Sequence, residues 1–143
     1  MAAFEQLFQD LGRMSYDEKV SSGRRIYEKI VSIIDQHKYG YFFVPARTVA
    51  IWYYAIFCGV DRKIKFNEHE YYIAISNNDI SYNGFFKECT ECNHPELRAD
   101  LKMFMKKISY DEVGYFQTLA ALIFSLKGNP TYEEKMYLIN FFN

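Results

Sequence analysis

IFCGVDRKIKFNEHEYYIAI, from Ile56 to Ile75, and IFSLKGNPTYEEKMYLINF, from Ile123 to Phe141, read as one unit written twice. Each has an apolar helical end, a short polar loop, an acidic helix start and an aromatic-aliphatic helix. Spacing of apolar residues at i, i+3, i+4 and i+7 marks one face of a helix. It recurs outward in both directions: Phe4, Leu7, Phe8 and Leu11; Ile26, Ile30, Ile33 and Ile34 within a longer helix from about Tyr16 to His37; Val49, Trp52, Tyr53, Ile56 and Phe57; Leu97, Leu101, Phe104, Met105 and Ile108; Phe116, Leu119, Ala120, Ile123 and Phe124. The expected fold class is all-α, a compact bundle of about seven helices.

Helix starts are written as capping boxes, in which a Ser or Thr side chain accepts from a free backbone N–H and a Glu reaches back to the cap N–H. Ser15-Tyr-Asp-Glu18 and Ser109-Tyr-Asp-Glu112 are identical, Thr131-Tyr-Glu-Glu134 is a third, and Asn67-Glu-His-Glu70 is a looser fourth. Pro95 suits a first helical turn, with Asn93 or His94 before it. Tyr39 to Val44 reads as an aromatic connector held extended before Pro45. A short helix is expected from Ile80 to about Glu88, weakened by Gly84.

With 143 residues, half of them hydrophobic and with 13 Tyr and 13 Phe, the chain can bury one substantial core and is too apolar for disorder. The formal charge of −1 gives no broad attraction to nucleic acid or to an anionic membrane. Arg24-Arg25 and Lys102 with Lys106-Lys107 read as solvated helix faces, so no nucleic-acid partner is expected. The most apolar window, Tyr41 to Phe57, is broken by Pro45 and Arg47 and is shorter than the roughly 20 residues a span needs. No membrane insertion is expected. The Met-Ala-Ala-Phe start lacks the features of a signal peptide. An odd number of cysteines suits reduced thiols, and a cytoplasmic setting follows as the expectation.

Carboxylates gathered at a loop and helix start suit a hard cation, which wants several oxygens. Asp61 stands three residues before Ile64, and Glu68 and Glu70 follow in the next helical turn. The competing reading weighs heavier: acidic residues complement helix N-termini and cap free N–H groups. Cys89-Thr-Glu-Cys92-Asn-His94 is a second candidate, for Zn²⁺, but one CxxC lacks a second ligand pair. Its plainer reading is a helix end carrying two reduced thiols. No nucleophile elbow and no phosphate-cradling glycine loop is present, and the chain is read as a non-enzyme. Tyr53, Tyr54, Tyr71, Tyr72 and Tyr115 form an aromatic surplus, read equally as gap-filling core or as exposed interface for a protein partner or a homo-oligomer.

The pair of loops resembles the tellurite-resistance TerB-like family, whose motif runs Ala-Asp-Gly, one residue, an apolar residue, two or three more, then Glu. The first copy matches through Asp61, Ile64 and Glu68, with Arg62 in place of glycine. The second matches through Gly128, Pro130, Thr131 and Glu134, with Lys127 at the acidic position. The resemblance covers Thr48 to Phe142, residues 48–142 of a single domain. It implies a pseudo-twofold pair of helix–loop–helix units, with the N-terminal helices, within 1–47, packing across them. It also implies a stress-linked, non-enzymatic module binding a divalent cation (Ca²⁺, Mg²⁺ or Mn²⁺, ahead of Zn²⁺) through Asp61, Glu68 and Glu134. Lys127, and Arg62 and Lys63 beside Asp61, oppose that charge pattern. Glu134 has a complete alternative role as capping partner of Thr131.

Overall fold

The computed structural model describes residues 2–38, 41–58, 64–92 and 94–143. Among them are eight helices and no strand: α1 (Ala2–Gly12), α2 (Tyr16–His37), α3 (Ala46–Cys58), α4 (Phe66–Ser76), α5 (Tyr82–Cys92), α6 (Pro95–Met105), α7 (Tyr110–Ser125) and α8 (Tyr132–Phe141). The expected all-α class is what the chain adopts.

Three helix starts take the form read from sequence. Ser15, Ser109 and Thr131 are extended N-caps whose side chains accept from the N–H of Glu18, Glu112 and Glu134, and each glutamate accepts in return. His94 caps α6 through its ring, with Pro95 in the first turn. The short helix expected from Ile80 runs instead from Tyr82 to Cys92, because Ser81 Oγ accepts from Gly84 N at 3.1 Å and starts the helix there.

α2 lies against α3, α4 and α7, while α3 also meets α5 and α7, and α1 rests on α7. The N-terminal helices α1 and α2 therefore rest on α3, α4 and α7. α2 approaches α4 closely at Gly23, where a Cβ would collide with the Tyr71 hydroxyl and lie 2.7 Å from Ile75 Cγ2. One apolar cluster joins side chains from Phe8 to Phe141.

The interface reading of the tyrosines is corrected by this core. Tyr53, Tyr54, Tyr71 and Tyr72 are at most 1 % exposed, and Tyr115 is partly buried beneath the Lys29 ammonium. Three of these hydroxyls donate to backbone carbonyls of neighbouring helices: Tyr53 to Phe116, Tyr54 to Glu68 at 2.7 Å and Tyr71 to Lys19 at 2.7 Å. A buried phenol without such an acceptor costs free energy, so these bonds fix which backbone segment each helix faces. No helix among the described residues is long and apolar enough to cross a membrane.

Candidate functional site

The two acidic helix starts meet in one small recess, lined by Lys65, Asn67 and Glu68 at the start of α4, Glu134 in the first turn of α8, and Ile123, Leu126 and Lys127 where α7 ends. Asp61 lies outside the described residues, as do Arg62 and Lys63. Glu68 and Glu134 are the two expected site residues that the fold brings to a common place.

On the α8 side the polar groups are closely matched. Glu134 Oε1 accepts from Thr131 N at 2.8 Å, and Thr131 Oγ1 accepts from Glu134 N at 3.2 Å. The second carboxylate oxygen, Oε2, accepts from Lys127 Nζ at 2.7 Å. The Glu134 side chain is only 6 % exposed, against 26 % for Lys127. A carboxylate this buried is costly unless paired and hydrogen-bonded, and Lys127 supplies the pairing. Gly128, at φ +118°, takes the left-handed turn that follows Lys127 out of α7.

The α4 side differs. The N-cap is Lys65, not Asn67, so the looser box read at Asn67–Glu70 is displaced by two residues. Glu68 Oε1 accepts from Lys65 N at 2.8 Å, but a lysine side chain has no acceptor to return to the helix. Tyr54 Oη donates to Glu68 O and pins this turn to α3. Asn67 sits inside the first turn with its Oδ1 buried and accepting no hydrogen bond.

That orphaned oxygen, beside two carboxylates, suits a cation. A hard divalent ion takes about six to eight oxygens. The described residues contain no group of three or more His, Cys, Asp or Glu side chains placed to hold a metal, and Glu134 Oε2 already faces an ammonium. The lysine expected to oppose the ligand pattern is thus the group that contacts it. Sequence spacing alone did not reveal this, because the bond spans the turn between two helices.

The Cys89, Cys92 and His94 trio is likewise not assembled into a metal-holding group. Both thiols are buried on α5, and burial, then Glu88, pushes the Cys92 thiol up to about 12, away from the thiolate that zinc requires. His94 Nδ1 accepts from Leu97 N at 3.1 Å as the cap of α6. His37 Nε2 faces Glu112 Oε2 at 3.1 Å, and His69 Nε2 faces the Ile80 carbonyl at 2.7 Å.

Compared with protein-family models, with curated proteins and with solved structures, the chain matches none.

Proposed function

We propose that this chain is a non-catalytic, TerB-like helical module of the cytoplasm, serving a stress response of the tellurite-resistance kind, whose cation recess is filled by its own Lys127. The observation that carries the reading is the 2.7 Å contact between Lys127 Nζ and the buried Glu134 Oε2. By resemblance, a divalent ion belongs between the two acidic helix starts. Here an ammonium supplies positive charge at that place, without a free ion to gain or lose. Cys89 and Cys92 are buried and form no disulfide among the described residues, which suits a reducing compartment.

Thermal melting of the wild type and of Lys127→Met tests this, after chelation and with Ca²⁺, Mg²⁺, Mn²⁺ or Zn²⁺ added back. The wild type should melt unchanged throughout. Lys127→Met should melt lower and recover saturably with one hard cation, by about 2.7 kcal/mol at 100 times its dissociation constant. Chelator-sensitive melting of the wild type would mean a resident metal. Lack of response in both proteins would mean that the recess is no cation site. Either result overturns the proposal.

A second reading, a protein-interaction surface, is favoured by a different set of aromatics from the one read in the sequence. Phe66 is 67 % exposed and stacks on Tyr82 at 4.3 Å between ring centroids, with the exposed Phe86 adjoining. Exposed aromatic clusters of this kind mark binding surfaces. Phe66→Ser should abolish self-association or partner capture if this surface is used, and unaltered binding would remove the reading.

A further inference from the structure

At the opposite end of α4 from the cation recess, a cavity of about 350 Å³ opens between α2, the start of α3 and the turn after α4. A single water needs about 30 Å³, so the space admits a small molecule. Its inner wall is made of two phenols. Tyr27 and Tyr72 are each 1 % exposed, and their hydroxyl oxygens lie 3.3 Å apart. Asn78 Nδ2 donates to Tyr72 Oη, also at 3.3 Å. Both separations are long for such bonds, so these polar groups hold one another only weakly.

Counting protons shows what is missing. One phenol donates to the other, and whichever accepts is left with a hydroxyl proton that has no protein acceptor among the described residues. The rings are not free to turn away. Tyr72 packs against Tyr54 at 5.0 Å and Phe85 at 5.6 Å, and Tyr27 meets Tyr72 edge-on. Burial, then the neighbouring phenol, raises the Tyr27 pKa, so it stays a donor. The cavity therefore presents a fixed donor and asks for an oxygen acceptor.

The mouth presents both signs of charge. Arg47 holds Glu28 through two bonds, at 3.1 and 2.9 Å, and both side chains are more than half exposed. Exposed pairs of this kind contribute little net stability, so a ligand can exchange into them. A bare carboxylate taking the Arg47 fork would leave Glu28 displaced and facing a like charge. A ligand that brings its own ammonium keeps both residues paired.

We propose that this cavity binds a small zwitterion of the α-amino-acid class, with its carboxylate on Arg47 and the spare phenolic proton, and its ammonium on Glu28. The site is independent of the Lys127 recess, and either proposal can fail alone.

The test is thermal shift of the purified chain with each common L-amino acid in turn, with acetate and methylammonium as single-charge probes. At least one amino acid should raise Tm saturably where acetate and methylammonium do not. Arg47→Gln, a change at an exposed position, should remove the response. Tyr72→Phe, which keeps the ring packing, should weaken affinity about tenfold. No response to any amino acid, an equal response to acetate, or an unchanged response in Arg47→Gln overturns the assignment and leaves a cavity filled by water.

Discussion

The second helix of each pair begins on a glutamate that reaches back to its own N-cap amide, but the two starts carry different loads. At α8, Thr131 completes the box, and the buried Glu134 is matched on both oxygens, by Thr131 N and by Lys127 Nζ. At α4, Lys65 holds the cap position, only the glutamate half of the box forms, and Asn67 Oδ1 remains buried without a donor. The backbone geometry of a helix start thus survives the loss of the cap hydroxyl. What differs is the polar accounting around it. The α8 start has its carboxylate matched by Lys127, whereas Asn67 at the α4 start, which lines the same recess, keeps a buried acceptor oxygen unused.

The sharpest way to break this contrast is to remove the internal cation. Lys127→Met leaves a buried carboxylate without its ammonium and should cost about 3 kcal/mol in urea unfolding, whereas Glu68→Gln, which keeps a capping oxygen, should cost less than about 1 kcal/mol. Similar losses from both changes would make the two starts equivalent. Next in size, Gly23→Ala forces α2 away from the Tyr71 and Ile75 side chains of α4 and should destabilise by about 2 kcal/mol. A neutral result would mean that α2 and α4 adjust to each other readily. Smaller again, Lys65→Ser supplies the missing cap acceptor and should raise stability by about 0.5–1 kcal/mol, making α4 start as α8 does.

The smallest effect is a pH dependence shared by the two identical boxes on α2 and α7. The Ser15 backbone N–H, then its hydroxyl, lowers the pKa of Glu18. For Glu112 the Ser109 N–H is the largest cause, and His37 adds to it. A carboxyl with a depressed folded pKa contributes stability above its unfolded value and loses it as pH falls through the folded one. Both helix starts should therefore weaken slightly on acidification below the ordinary glutamate range. Carboxyl NMR titration should place Glu18 and Glu112 below the ordinary glutamate value, and Ser109→Ala should bring Glu112 back up.

Much of the fold was legible because its signals are local. A Ser or Thr followed three residues later by Glu needs only one helical turn to act, and Ser15, Ser109 and Thr131 all behave as read. Asn67 misled because it is a good cap residue by type, yet Phe66 already opens the helix and Lys65 takes the extended cap conformation. The tyrosines were ambiguous for another reason. In α3 all residues from Val49 to Cys58 except Trp52 are buried, so periodicity cannot say which face is outside. Only the packing of α2, α5 and α7 around α3 settles it. The repeated loops lie near the common recess of Glu68 and Glu134, but the Lys127 contact depends on how the turn between α7 and α8 folds, and the cavity between Tyr27 and Tyr72 arises from helices distant in sequence.

The buried phenols also make alkali a denaturant with its own reporter. Burial is the largest cause of the raised pKa at Tyr27, Tyr53, Tyr54, Tyr71 and Tyr137. Their neutral forms belong to the folded chain, so their contribution is complete below the ordinary tyrosine value of 10.0 and is lost as pH climbs toward the raised ones. These rings should resist ionisation through the ordinary tyrosine range, then ionise together as the helices separate. The ultraviolet absorbance of phenolate would record that event as a late, steep step, a direct optical readout of when the bundle comes apart.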